Sequence, residues 1–244
     1  MKENWYDDPE FFAKYSQMSR SKLGLEGAGE WQTLRPMLPD FSGKRVLDLG
    51  CGYGWHALYA AENGAKGVLG VDLSEKMLEV AQQKNTFPQV HFARGAMEDV
   101  RFPDGSFEVV LSSLALHYVR DYDELVGRIY RWLTPGGQFV FSAEHPTFTA
   151  YGSQDWYYSP EGKILHFPVD RYFYEGEREA IFLGEKVVKY HRTVDDYLKP
   201  LWRAGFTITD LSEPRPPENM MDQPGMQDEM RRPMMLLVKA VKPV

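Results

Sequence analysis

VLDLGCGYG, residues 46–54, is the stretch that decides the fold. Apolar and β-branched residues (Val46, Leu47, Leu49) run directly into glycines at alternate positions, Gly50, Gly52 and Gly54. The residues that follow, WHALYAAENG, carry helical apolar spacing in Leu58, Ala61 and the Ala57/Ala60 pair. The pattern predicts a buried strand that turns sharply into a helix with no side chains filling the turn. A ligand can then lie against the backbone and the helix N-terminus. Asp48 sits at the end of this strand, and Asp72 closes the next one, GVLGVDLS. The corner suits a nucleotide-like ligand.

Three positions narrow the choice of ligand. A dinucleotide fingerprint places glycine at the first, third and sixth positions, so that a pyrophosphate can press on the turn. Counting from Gly50, the sixth position is Trp55, whose ring would fill that space. Asp48 also opposes a phosphate, because a carboxylate at the strand end repels it and suits an ammonium group instead. Asp72, 22 positions after Gly50, fits an acid that accepts from both hydroxyls of a ribose. Ribose plus a cationic amino-acid end, without phosphate, describes S-adenosylmethionine.

Four stretches, in order, carry a family resemblance. VLDLGCGYG resembles motif I of the class I S-adenosylmethionine-dependent methyltransferases, and GVDLSEKML (70–78) resembles their strand-two acid and following helix. GAMEDVRFPDGSFEVVLSSLALHYV (95–119) resembles the adenine loop and fourth strand, and LTPGGQFVFS (133–142) the turn and fifth strand. As an ordered set over residues 40–145 the match is specific, where a lone glycine turn is weak. The flavour is similar to the small-molecule branch that includes the ubiquinone/menaquinone-type enzymes. EHPTFTAY…FPVDRYF…VVKYHRT resembles a bacterial subgroup within it.

The resemblance implies an α/β, Rossmann-like fold: a seven-stranded, mostly parallel sheet with helices on both faces and a reversed last strand beside strand five. It implies S-adenosylmethionine as cofactor, with S-adenosylhomocysteine as product. Toward that cofactor it implies Asp48, Gly50, Cys51, Gly52, Asp72 and Leu73, with Met77 against the adenine. Where the family usually has an Asp that accepts from the adenine amino group, this chain has Ala96, so Glu98 or the backbone at Ala96 and Met97 is left with the task. Leu114 and His117 lie where the family contacts the methionine end, with Tyr15, Arg20 or His56 toward the cofactor carboxylate.

Composition bounds the remaining options. The 244 residues suit one domain with a full core, and 43% hydrophobic with 26% charged residues is ordinary for a globular chain. A net charge of -7 offers no basic footprint for nucleic acid. The one cysteine, Cys51, precludes an intrachain disulfide and fits a reducing compartment. MKENWYDDPEFF lacks the apolar core of a signal peptide, and no apolar run approaches the roughly 18 residues of a membrane span. The expectation is a cytoplasmic enzyme, monomer or homodimer, with no membrane or nucleic-acid partner.

Four segments are expected along the chain: a helical flap (1–39), a cofactor-binding core (40–144), an insertion after strand five (145–192), and a helix with strands completing the sheet (193–244). DDPEFFAKYSQM opens with an acid cap and an early proline, then repeats Phe11, Phe12, Tyr15 and Met18 at helical spacing. That stripe either packs on the core or lies over the cofactor. SKLGLEGAGEW (21–31) reads as a hinge loop. Strands are expected at 44–49, 67–72, 89–93, 107–113 and 137–143, helices near 55–63, 75–84 and 121–133, and a turn at PGG, 135–137. The aromatic-rich stretch 145–192 is read as a lid at the ligand-binding edge of the sheet, or as an interface. A helix at 195–206, interrupted by Pro200, precedes paired strands at 206–214 and 234–242. The intervening loop is either mobile or bounds the pocket through Met220 and Met221.

Methyl transfer from a sulfonium is an in-line displacement on an activated carbon, so the protein's tasks are alignment, desolvation and removal of a proton. No universal catalytic motif is expected. His145, after strand five, and His191, at the end of the lid, are the candidate general bases because imidazole titrates near neutral pH, although a lone histidine is more often a structural hydrogen-bonder. Tyr190 and Glu144 are weaker candidates. Cys51 lacks a neighbouring base, and no His/Cys/Asp/Glu cluster has metal-ligand spacing. SSLAL after strand four differs from the Asn/Asp-Pro-Pro-Tyr of enzymes that methylate planar amides or base amines. The acceptor is expected to be a small molecule with an aromatic or apolar body. The rivals are a nicotinamide-dependent oxidoreductase, opposed by Trp55 and Asp48, and a non-catalytic S-adenosylmethionine-binding protein, toward which Ala96 points.

Overall fold

A computed structural model describes residues 4–244; the first three residues of the expected 1–39 flap lie outside the described residues. Before the sheet come α1 (Pro9–Ser16), α2 (Ser19–Leu23) and α3 (Trp31–Met37). Asp8 starts α1 by accepting from the Glu10 and Phe11 amides, each at 2.9 Å. The expected hinge loop is largely helical: α2 continues into a tight turn at Gly24–Gly27.

The core alternates as its sequence implies: β1 (Arg45–Leu49), α4 (Trp55–Glu62), β2 (Gly67–Asp72), α5 (Glu75–Lys84), β3 (Val90–Arg94), β4 (Phe107–Ser113), α6 (Tyr122–Trp132) and β5 (Leu133–Glu144). β5 starts earlier than expected. Pro135-Gly136-Gly137 lies inside it, where the register against β4 slips between Phe107 and Val109 and Gly136 takes φ +75°. The segment is a bulge rather than a separate turn, held because Gly136 donates to the Lys242 carbonyl at 2.9 Å.

After β5 come α7 (Pro146–Ala150) and two antiparallel hairpins, β6 (Tyr157–Tyr158) with β7 (Ile164–His166) and β8 (Gly176–Phe182) with β9 (Glu185–His191). Then follow α8 (Val194–Ala204), β10 (Thr207–Ser212), the short α9 (Met226–Glu229) and β11 (Met235–Val241). A Thr193/Asp196 capping box starts α8, which runs unbroken through Pro200 to a left-handed Gly205. The missing Pro200 N–H costs the helix one bond without ending it.

The seven-stranded sheet has the order β10-β11-β5-β4-β1-β2-β3. β3, β2, β1, β4 and β5 are parallel, and β11 lies reversed between β5 and β10. Successive strand residues serve opposite faces. Leu47, Val110, Phe139, Phe141, Leu236 and Val238 pack with α6 and α8, whereas Val46, Val109, Val140 and Leu237 pack with α3 and α4. Burial on both faces explains why the strands read as continuous apolar runs. Among the described residues no helix is long and apolar enough to cross a membrane.

Candidate active site

The glycine turn sits at the carboxyl end of β1, where an open α/β sheet places its ligands. Gly50, Gly52 and Gly54 all have positive φ (+71°, +51° and +75°). A methyl group on Gly50 would lie 2.4 Å from the Ala115 Cβ, so the turn closes against the end of β4 only without a side chain. At Gly52 the same position meets nothing within 4 Å, which leaves the backbone open to a ligand. The Asp72 carboxylate accepts from the Gly52 N–H at 2.8 Å and the Ser74 N–H at 2.9 Å, one on each oxygen. Each oxygen keeps a lone pair for a further donor. Burial pushes the Asp72 carboxyl up from its ordinary range, against the lowering by those amides.

The turn floors a cavity of ≈ 790 Å³. Its walls include Gly50, Gly52, Asp72, Leu73, Met77, Ala96, Met97, Glu98, Leu114 and His117, with Tyr15 and Arg20 from the N-terminal segment. That segment is tied over the cavity at several points. Asp7 accepts from the Ser74 hydroxyl (2.6 Å) and the Lys76 N–H (3.1 Å), and the Tyr6 and Tyr118 hydroxyls are 3.0 Å apart. Arg20 pairs with buried Glu30 at 2.5 Å. The walls also include Glu144, Phe182, Val187, Tyr190, Met220 and Arg232. Arg232 is clamped there: it pairs with Glu229 at 2.7 Å, and its guanidinium lies 4.5 Å from the ring centres of Phe148 and Phe167 and 4.9 Å from that of Trp156.

Three of the fifteen residues expected toward the cofactor, Asp48, Cys51 and His56, do not line the cavity; the other twelve do. Cys51 alternates away from Gly50 and Gly52, and its sulfur fills the space over Gly70. Burial pushes its thiol well up, so it is no nucleophile. Asp48 lies beneath the turn, 1% exposed, and neither oxygen has a hydrogen-bond partner of good geometry, although the Ala57 N–H bears on it. Burial, reinforced by Asp72, pushes its carboxyl to about 7.

The Asp48 shift sets a pH dependence. The folded protein keeps a proton that an unfolded chain releases near 3.8, so stability falls as pH rises from 3.8 through about 7. Asp48→Asn lacks that loss. Between about pH 4 and about pH 8 the cofactor-free wild type should lose a few kcal/mol relative to Asp48→Asn, read from urea unfolding. Equal pH slopes for the two proteins would contradict this assignment.

The two candidate bases fall outside the cavity. His145 caps α7: its Nδ1 accepts from the Thr147 N–H at 3.0 Å, which leaves the proton on Nε2, 2.8 Å from the Glu213 carboxylate. His191 is fully buried between the Thr149 hydroxyl (2.7 Å at Nδ1) and the Tyr172 carbonyl (2.9 Å at Nε2). A carbonyl only accepts, so Nε2 carries the proton and both nitrogens are used. These are structural histidines. His56 likewise faces the Trp31 ring, 5.9 Å away, and burial depresses it to about 4. The Trp55 ring packs on Gly24 and beneath Lys84, outside the cavity.

What the cavity does hold is a network at the ends of β4 and β5. The His117 ring is buried beside Glu144, with Nε2 3.9 Å from Oε1 and Nδ1 3.5 Å from the Glu144 N–H. Burial depresses the imidazole to about 4, so it is neutral at physiological pH. Lys189 donates to Glu144 Oε1 at 2.6 Å and to Gln154 at 2.8 Å, and Gln154 donates to Glu144 Oε2 at 2.7 Å.

A family model for the methyltransferase domain matches residues 47–141, from β1 into β5. A Listeria monocytogenes structure assigned to the S-adenosylmethionine dependent methyltransferases is 54% identical, covers 91% of this chain and 100% of its own, and has a TM-score of 0.86. An S-adenosylmethionine dependent methyltransferase from Mesorhizobium loti is 44% identical over 89% of this chain and 100% of its own, with a TM-score of 0.82. The chain belongs to the S-adenosylmethionine-dependent methyltransferases.

The methyltransferase thus takes S-adenosylmethionine, and the nicotinamide and non-catalytic readings fall away. A demethylmenaquinone methyltransferase from Listeria monocytogenes is 40% identical over 40% of this methyltransferase and 44% of its own length. The chain spans less than half of that relative. Among the described residues of the methyltransferase, no group of three or more His, Cys, Asp or Glu is gathered to hold a metal.

Proposed function

We propose that this enzyme methylates a small molecule with an apolar or aromatic body, and that both reactants share the single cavity between the glycine turn and the inserted segment. The observation that carries the reading is the continuity of that cavity: Asp72 and His117 share its walls with Phe182, Val187 and Met220. Its ≈ 790 Å³ lies within the range of small-molecule sites. The demethylmenaquinone relative, named for a small acceptor, supports the same class.

When bound, S-adenosylmethionine supplies a methyl group activated on a sulfonium. The chain's own residues divide the rest of the work. Asp72 takes the ribose hydroxyls, Met77 and Leu73 contact the adenine, and the loop at Ala96, Met97 and Glu98 closes its edge. Glu98 already accepts from the Arg120 N–H at 3.0 Å, which favours the backbone as the adenine's partner. Gly50 and Gly52 give backbone access to the methionine end, with Leu114 and His117 beside it and Tyr15 and Arg20 above. Residues 4–39 act as a flap and 145–192 as a lid, excluding water that would compete for the methyl group. A cytoplasmic setting fits the lone buried thiol, Cys51.

The test is transfer of label from methyl-labelled S-adenosylmethionine into a dialysable metabolite extract, with Asp72→Ala as control. Label in a small molecule, absent from the control, is the expected outcome. Label recovered only in macromolecules would overturn the acceptor class.

A further inference from the structure

Glu144 stands apart from the other acids around the cavity. The register Ser113↔Ser142 puts the ends of β4 and β5 side by side, and Glu144, two residues further on, has its main-chain N–H 3.5 Å from Nδ1 of His117, which follows Ala115 by two residues. Ala115 in turn touches the Gly50 position of the turn. Glu229 is spent on Arg232, Glu98 accepts a main-chain N–H, Asp72 is taken by the ribose in the placement above, and Glu177 is exposed on β8. Glu144 is held from behind. Lys189, whose side chain is 3% exposed, takes one oxygen, while Gln154 donates to the other. Those bonds use about two of roughly four lone-pair sites. The Glu144 side chain keeps 15% exposure, and the residue is part of the cavity wall.

The groups facing this carboxylate fix its state. Burial raises its carboxyl, but His117 when protonated, Lys189 and the Gln154 bond outweigh that and hold it below the usual range. A buried lysine on one side and a neutral imidazole on the other leave an ionised acceptor of hydrogen bonds in a wall that also holds Phe182, Val187 and Met220.

Resting on the cofactor placement above, we propose that Glu144 is the acceptor-recognising residue. Its carboxylate accepts from the head of the substrate, an amine or hydroxyl group that keeps a lone pair, at the point where the methyl group is delivered. Lys189 and Gln154 are positioning residues that lock its rotamer. A substrate lacking a donor would leave the charge buried and unpaired, which selects against it. The apolar walls take the rest of the molecule.

Sinefungin tests this without knowing the acceptor, because it carries an amine where S-adenosylmethionine carries the transferable methyl. Calorimetry on the whole chain should show sinefungin binding about tenfold or more tighter than S-adenosylhomocysteine. Glu144→Gln should erase that preference while S-adenosylhomocysteine affinity stays within about threefold. Because Glu144→Gln strands the Lys189 charge, the double variant Glu144→Gln/Lys189→Met is the second test and should lose the same preference. Equal wild-type affinity for the two ligands, a preference that survives in either folded variant, or a parallel loss of S-adenosylhomocysteine binding overturns the proposal. Failure of the wild type to bind either ligand overturns the cofactor placement itself, and this inference with it.

Discussion

Asp72→Ala weakens S-adenosylhomocysteine binding by roughly 2–4 kcal/mol, the loss of two charge-assisted hydrogen bonds to a ribose. The structure gives a second reason for a large effect. The same carboxylate holds the Gly52 and Ser74 N–H groups, so its removal frees the glycine turn as well as the ribose site. Calorimetry measures the first effect, and amide exchange at Gly52 reports the second. Unchanged affinity in a folded variant would mean that the ribose binds elsewhere. The fold itself should survive, because Asp72 closes β2 at its cavity end and the apolar core lies behind it.

Gly50→Ala should cost more, and in stability as well as binding. The new methyl group would lie 2.4 Å from Ala115, and alanine must adopt φ +71°. Left-handed backbone and overpacking together cost about 2–4 kcal/mol, equivalent to a fall in Tm of roughly 5–15 °C in a chain of this size. Relief requires β1 and β4 to part at the cavity floor, so S-adenosylhomocysteine affinity should fall beyond calorimetric detection. Near-wild-type Tm with intact binding would show that the turn yields more easily than this contact allows.

The glycine-turn part of the cavity wall was legible because its parts are local. A strand, a glycine turn, a helix and an acid at the end of the next strand are written within residues 46–72. The meeting of His117 with Glu144 was not, because register assembles it. His117 and Glu144 meet only through the β4–β5 pairing. Choosing histidines by their ordinary titration also overlooked strand alternation. Glu144 and His145 are neighbours in sequence, yet one faces the cavity and the other Glu213. The same alternation separates Tyr190 from His191 on β9, and Gly50 and Gly52 from Cys51 in the turn. In the loop 214–233, sequence left mobility and pocket lining open; Met220 is buried against the cavity. Proline at PGG and at Pro200 read as interruption, but a bulge and a helix interior absorb them.

The Arg232 clamp has a mechanical consequence. Three aromatic contacts of about 0.5–2 kcal/mol each join two stretches far apart in sequence, the insertion and the loop before β11. Arg231 adds a bond to the Leu165 carbonyl at 2.7 Å. The two stretches are therefore riveted into one panel, and neither swings without the other. Loss of the Arg232 side chain would therefore release both stretches at once.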